Sequence, residues 1–304
     1  MHLTILICTH NRSELLGLTL ASLNRAQRPA DCSVSIMVVA NACTDDTGQV
    51  LENYRSQTVE HDWLPLDWLE EAKPGKSNAL NRAIPALDSE LVAFVDDDHR
   101  VDELYLMNIC AAAHSHPAAT LFCGRILPDW DGSEPDWVHD SGPYRIYPLP
   151  VPRQDQGENP HPVGLEGPIP GGGNLVLRRG VFDRIGVFSL ELGPQGHNLG
   201  GGEDTDFIRR ALGAGEQLFY VPDIKQYHHV DPSRFRLVYL LRKSFQRSRA
   251  GVQTSQEHSQ IPLYMWRKLA GYVFHALFSL QWAKTRFFLV RIAAVLGEMR
   301  GIRT

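Results

Sequence analysis

Short apolar runs alternate with apolar positions spaced three and four apart through the first 127 residues. LTILICT (3–9), VSIMVVA (34–40), LDWLEEA (66–72), LVAFVD (91–96) and TLFCGRIL (120–127) have the length and apolar content of strands. Between them, SELLGLTLASLNRA, TGQVLENYRSQ, SNALNRAIPAL and VDELYLMNICAAAH carry helical spacing. Strand–helix alternation at this pace predicts an α/β domain with a doubly wound, mainly parallel sheet. Ligands of such sheets sit outside the carboxyl ends of the strands, where the loops THNR, NACTDD and DDDH fall.

From Pro128 to Pro170 the periodicity gives way to a Pro-, Gly- and Trp-containing stretch, long enough to be a functional loop. NLVLRR (174–179) returns to a strand, and GPQGHNLGGG (193–202) reads as a flexible glycine-rich connection able to close over a ligand. EDTDFIRRALGAG (203–215) predicts a helix with an acidic first turn and glycine at its end. EQLFYVP (216–222) is the last expected strand, with YHHVDPSR after it.

The remainder is helical and basic. Residues 232–304 hold thirteen Lys or Arg against Glu257 and Glu298, a net +11, whereas the whole chain nets -5 and residues 1–231 therefore -16. An acidic body argues against nucleic acid as a partner, since that footprint is basic. The expected organisation is a body over 1–231, with a nucleotide-binding half (1–127) and an acceptor-side half (128–231), and a basic helical extension over 232–304. Within the extension the longest uncharged run, Leu269 to Ala283, has fifteen residues, where a membrane-spanning helix needs about twenty. Residues 261–304 are thus expected to lie on a membrane surface as a basic amphipathic helix, or to pack as a helical pair on the domain or in a homodimer. Five cysteines without a C-x-x-C pair suit reduced thiols, and the opening MHLTILICTHNR enters a strand at once, with no secretory leader. The expected location is the cytoplasm, on the inner face of the membrane where the extension binds lipid.

Chemistry concentrates in FVDDDHRV (94–101), where Asp96, Asp97 and Asp98 follow an apolar run. Adjacent carboxylates repel, and burying them without partners is costly, so a cation or water must meet them. One reading is a divalent metal ion. The other is a helix start, with Asp98 capping a helix from about Val101 to Ala113. Dinucleotide and P-loop motifs are excluded, because no glycine follows the first strand before Gly17. KPGKSNALN (73–81) shares only Gly75 and Lys76 with a phosphate loop and also reads as a helix start. The acidic group Glu203, Asp204 and Asp206 serves either chemistry or the dipole of a first helical turn.

Taken in order, THNR, NACTDDT, PGKSNALN, VDDD, GGGNLVLRR, GGEDTDF, FYVPD and HHV resemble the family 2 glycosyltransferases of GT-A fold, from Leu3 to about Gly251. The resemblance implies that the loops after the first two strands hold the nucleoside of a sugar nucleotide. Thr9, Asn11 and Arg12 match the first loop, Asn41 the second, and Lys76, Asn78 and Asn81 the segment near the base or sugar. Where the family often carries an aspartate on the uracil side, this chain has Ala40 and Asn41, an amide able to pair with a base edge. Asp96 and Asp98 match the D-x-D motif. By that match Asp98 binds Mn2+ or Mg2+, Asp96 faces the sugar or ribose as a further metal-side carboxylate, and Asp97 serves in either place. His228 or His229 matches a further metal ligand, although either also fits a structural histidine. Asp204 matches the base of an inverting transfer, with Glu203 as second choice or as a contact to a sugar.

The implied activity is metal-dependent, inverting transfer from a nucleoside-diphosphate sugar, with uridine the expected nucleoside, to a glycan, lipid-linked or other hydroxyl acceptor in polysaccharide biosynthesis. Two rivals differ in chemistry. A sugar-phosphate nucleotidyltransferase wants a glycine-rich basic loop after the first strand, and a non-catalytic domain that binds a glycan or partner does not need the aspartates.

Overall fold

The computed structural model describes residues 1–192, 202–255 and 260–302. The glycine-rich connection expected over 193–202 lies outside these residues, apart from Gly202. The chain forms two compact units, Met1–Asp129 with Arg153–His229, and Trp130–Pro152 with Val230–Thr304.

In the first unit β1 (His2–Thr9), α1 (Ser13–Arg25), β2 (Ser33–Asn41), α2 (Thr47–Gln57), β3 (Leu66–Glu71), α3 (Lys76–Ala83) and β4 (Leu91–Phe94) alternate as expected. β1 is buried on both faces, which explains its unbroken apolar run. α1 buries Leu16, Leu20 and Leu23, the three-four stripe that packs on the sheet. There follow β5 (His99–Val101), α4 (Tyr105–Ser115), β6 (Leu121–Asp129), β7 (His161–Val163), β8 (Leu175–Arg178), α5 (Val181–Ile185), α6 (Glu203–Gly213) and β9 (Leu218–His229). The sheet runs β3-β2-β1-β4-β8-β6-β9-β5, with β7 also on β9. β3, β2, β1 and β4 are parallel. Beyond them the α/β sheet becomes mixed, because β8 is antiparallel to both β4 and β6, and β6 is parallel to β9.

Three local differences from the sequence reading bear on the site. The 91–96 run ends as strand at Phe94, and residues 99–101 form β5, which pairs antiparallel with the end of β9. The next helix starts at Tyr105 with Leu104 at its N-cap, so Asp98 caps no helix and the helix-start reading of the triple aspartate is overturned. β9 continues to His229, so the two histidines stand on the last strand rather than after it. β6 and β9 shift register between Cys123 and Arg125, at a point where a Cβ on Gly124 would lie 1.8 Å from the Ile224 carbonyl oxygen. Only glycine fits this close approach. The fully buried Asn174 amide donates to the carbonyls of Arg125 (2.8 Å) and Ile224 (2.9 Å), satisfying groups the irregularity frees.

The second unit is built around α7 (Leu237–Ser255), α8 (Leu263–Leu277) and α9 (Trp282–Ile302). A Cβ on Gly297 or Gly301 would press on the carbonyl oxygens of Phe245 (2.2 Å) and Arg249 (2.7 Å), so these glycines let α9 approach α7 closely. Met265 of α8 packs with Val295 and Met299 of α9. Trp130 and Trp137 join Val138, Val151, Val230 and Phe235 in a second cluster, where the buried Arg286 guanidinium lies 4.0 Å over the Trp137 ring. Among the described residues no helix is long and apolar enough to cross a membrane.

Candidate functional site

The triple aspartate forms a tight turn between β4 and β5, closed by the His99 N–H donating to the Asp96 carbonyl (3.1 Å). The Thr19 hydroxyl bonds the carbonyls of Asp97 (3.0 Å) and His99 (2.8 Å), and the His229 N–H bonds that of Asp98 (2.8 Å). Thus fixed, the three side chains meet two cations. Lys76 Nζ lies 2.7 Å from Asp96 Oδ1. Arg12 Nη1 lies 2.9 Å from both Asp97 Oδ1 and Asp98 Oδ2. Burial opposes the charge on Asp96, but Lys76 together with His99 and His228 outweighs it and holds the carboxyl well below the usual carboxylate range. Lys76 is raised in turn: burial opposes its charge, but Asp96 together with Glu203 and Asp204 overcomes that cost. Asp97 behaves otherwise: burial and the adjacent Asp98 push its carboxyl up in spite of Arg12.

Each cation is positioned by its loop. Asn11 takes a positive φ of 52° and its Oδ1 accepts from the N–H groups of Thr44 (2.7 Å) and Asp45 (3.3 Å), tying the first loop to the second just before Arg12. Asn41 Oδ1 accepts from the Gly75 N–H (2.8 Å), and its Nδ2 donates to the carbonyls of Glu71 (3.1 Å) and Lys73 (2.8 Å). Gly75, at φ 128°, makes the turn that starts α3 at Lys76. Asn41 is therefore committed to the frame that aims Lys76 at Asp96. Asn78 bonds the Pro74 carbonyl (2.9 Å) in the same turn. Asn81 pairs both ways with the Phe188 backbone, at 2.9 Å each. Thr9 is buried beside Asp97.

His99, a residue the sequence reading left out, joins the aspartates with His228. One ligand atom each from Asp98, His99 and His228 lie within 4.8 Å of one another. His99 Nε2 is 3.8 Å from Asp98 Oδ1, and His228 Nε2 is 3.5 Å from Asp98 Oδ2. The tautomers follow from the partners. Gln226 Nε2 donates to the Phe94 carbonyl (3.0 Å), which can only accept, so Gln226 Oε1 must be the atom facing His99 Nδ1, and Nδ1 carries the proton. His228 Nδ1 likewise donates to the His229 carbonyl (2.6 Å). Both rings thereby turn their Nε2 lone pairs toward Asp98, the arrangement a metal-binding imidazole needs. One carboxylate and two imidazoles fit a divalent transition-metal ion, the carboxylate being the donor that suits Mn2+. His229, the next residue on the strand, is exposed on the other side by the period-two alternation of β9. Asp96 lies at the edge of this group, its Oδ2 3.9 Å from His99 Nε2 and its Oδ1 on Lys76.

Glu203 and Asp204 open α6 behind Gly202, which at φ 103° makes the N-cap. Asp204 Oδ2 accepts from the Gly172 N–H, and Oδ1 accepts from the Thr205 N–H (2.7 Å). A Cβ on Gly172 would lie 2.6 Å from the Asp204 Cβ, and one on Gly173 would lie 2.7 Å from Asp96 Oδ2. Consecutive glycines thus touch the two acidic clusters, which brings them together from residues far apart in sequence. Glu203 is 3% exposed, with no hydrogen-bond partner for Oε2. Burial, and then Asp204, push its carboxyl up against the pull of Lys76.

A carboxylate clamp, two oriented imidazoles and a cation-lined loop thus gather beside the carboxyl ends of the parallel half of the sheet. The model of glycosyl transferase family 2 matches residues 4–186, more than half of the sequence, and the chain belongs to that family of enzymes. The succinoglycan biosynthesis protein ExoM of Rhizobium meliloti (strain 1021) is 27% identical over 250 residues, 81% of this chain and 72% of ExoM. S. aureus TarS 1–349, crystallised with UDP-GlcNAc, superposes with a TM-score of 0.59 at 17% identity, over 99% of this chain and 90% of that one. This chain spans 39% of a longer crystallised TarS chain. The mannosyltransferase PcManGT of Pyrobaculum calidifontis, in complex with GDP-Man and Mn2+, gives 0.56 at 16% identity, over 98% and 85%. The structural likenesses establish the fold.

Proposed function

We propose that this glycosyltransferase moves a sugar with inversion from a nucleoside-diphosphate sugar, a uridine diphosphate sugar first among them, to a hydroxyl of a glycan or lipid-linked acceptor. The observation that carries the reading is the pair Gly172 and Gly173, which sets Asp204 one residue of backbone away from the carboxylates that would meet a diphosphate. Asp98, His99 and His228 would hold a divalent cation, with Asp96 beside them. When bound, that ion supplies positive charge to a diphosphate leaving group. Lys76 and Arg12 keep the aspartates neutralised and stand where they also reach phosphate oxygens or the nucleoside. Asp204, held at both oxygens by backbone N–H groups, takes the proton of the acceptor hydroxyl. Glu203, buried without a partner for Oε2, receives a sugar hydroxyl. The UDP-GlcNAc and GDP-Man of the two solved complexes support a nucleotide-sugar donor, the Mn2+ of the second supports the cation, and ExoM supports a polysaccharide product.

A thermal-shift series of UDP- and GDP-sugars with and without Mn2+ tests the donor and the ion together. A donor at one hundred times its Kd stabilises by about 2.7 kcal/mol, and the expected shift needs both nucleotide sugar and Mn2+. No shift with any nucleotide sugar sinks the reading. Release of nucleoside diphosphate on turnover is the expected product, whereas pyrophosphate would indicate nucleotidyl transfer.

A further inference from the structure

α8 packs by one side only. Met265 is its single buried residue, held by Val295 and Met299 of α9, with Leu269 and Tyr272 partly buried on the same side. On the opposite side Leu263, Trp266, Val273, Phe274 and Leu277 recur at the three-four spacing of one helix face, and all are exposed, Leu277 by 74% and Phe274 by 57%. The turn into α9 continues the patch with Phe278, Leu280 and Trp282, each mostly or fully exposed. A contiguous apolar face of this kind on a water-facing helix marks a docking surface.

The charges select the partner. From residue 260 to 297 the sequence contains no acid, while Arg267, Lys268, Lys284 and Arg291 are basic, Lys284 lying over the Tyr144 ring and Arg291 over that of Phe287. Arg267 is exposed within the face itself, and Lys268 turns to Glu298 at 3.7 Å. At fifteen residues α8 is too short to cross a bilayer, and aromatic rings with basic side chains are the composition that settles at the headgroup boundary. A second copy of the chain would bring a like-charged basic face against this one, which opposes self-association.

We propose that the outer face of α8 and the α8–α9 turn dock on an anionic lipid surface. The inference goes beyond the transfer reading and stands without it, since its test involves no donor. The full chain should co-sediment with phosphatidylglycerol–phosphatidylcholine vesicles and much less with phosphatidylcholine alone. Uptake should fall as salt rises, because the screening length shortens from about 10 Å at 0.1 M to about 3 Å at 1 M. Phe274→Glu with Leu277→Glu should lower vesicle affinity by at least about tenfold, with Tm little changed because both side chains are mostly exposed and Phe274 meets His275 and Phe278 of its own turn. Trp fluorescence of the wild type should shift to the blue on vesicles. Absence of uptake, equal uptake on neutral vesicles, or uptake indifferent to the double substitution overturns the proposal. So does a stable wild-type dimer in sedimentation that the same substitutions dissociate.

Discussion

Two acidic clusters lie on either side of Gly172 and Gly173, and they are held in opposite ways. At 96–98 every carboxylate has a cation at hydrogen-bond distance, Lys76 on Asp96 and Arg12 on Asp97 and Asp98. At 203–204 the close partners are backbone N–H groups on Asp204, and Glu203 Oε2 has none. Counter-ions suit charges that must persist through binding and release of a polyanion. Under the proposed function the first cluster meets a diphosphate and the second takes the acceptor proton. Under that reading one cluster holds charge and the other moves a proton, and substitutions can break the division on either side.

The largest effect is expected from Asp98→Ala, which should abolish the Mn2+ dependence of nucleotide binding in titration calorimetry. Affinity that still rises with Mn2+ would remove Asp98 from the metal site. Asp204→Asn should lower transfer by on the order of 10²-fold or more while leaving donor affinity near wild type. The substitution also turns an amide NH2 toward one of two backbone N–H donors, so stability should fall by roughly 1–3 kcal/mol. Lost stability with normal turnover would reduce Asp204 to a clamp on Gly172 and move the base to Glu203.

Gln226→Leu should weaken Mn2+ affinity by about 10- to 100-fold, the usual cost of losing an outer partner of a metal-binding histidine. In the metal-free protein the 15N shifts of His99 should show the Nδ1–H tautomer losing its dominance. An unchanged tautomer would assign the orientation of His99 to another group. The smallest effect is a pH dependence. Burial and Asp204 raise the proton affinity of Glu203 in the folded state. Its contribution to stability is therefore complete below the ordinary glutamate range and is lost as pH rises through the raised folded value. Glu203→Gln should increase Tm at about pH 8 and leave it nearly unchanged at about pH 3, where the carboxyl is neutral in both folded and unfolded chains. A difference that does not grow with pH would mean that the carboxyl is well solvated.

The parallel half was legible because each element carries its own period. The runs at 3–9, 34–40, 66–72 and 91–96 and the helices between them fall on β1 to β4 and α1 to α3 within a few residues. What escaped was built by contacts between distant residues. β5 has three residues, too few for any pattern, and exists because β9 pairs with it. His99 stands directly after the aspartates, yet its role depends on Gln226, 127 residues away, and on His228, its partner in the strand register. The adjacency to Asp98 was the available signal. Asn41 and Asn81 illustrate the opposite limit, since an amide reads alike whether it meets a ligand or, as here, the protein's own backbone. Period-two alternation of β9 separates His228 from His229, but only once the strand is known to reach that far.

The position of β8 governs how the molecule can be assembled. It enters the sheet between β4 and β6, Leu91 pairing with Arg178 and Leu121 with Leu177. Both pairings close loops of roughly fifty to ninety residues, which makes them slow to form. Gly172, Gly173 and Asn174 directly precede this strand, so the bridge between the acidic clusters arrives with it. A nascent chain that has not yet delivered Arg178 leaves the facing edges of β4 and β6 bare and open to wrong pairing. Titrated with denaturant, the first unit should lose its nucleotide affinity and its central strand in one transition.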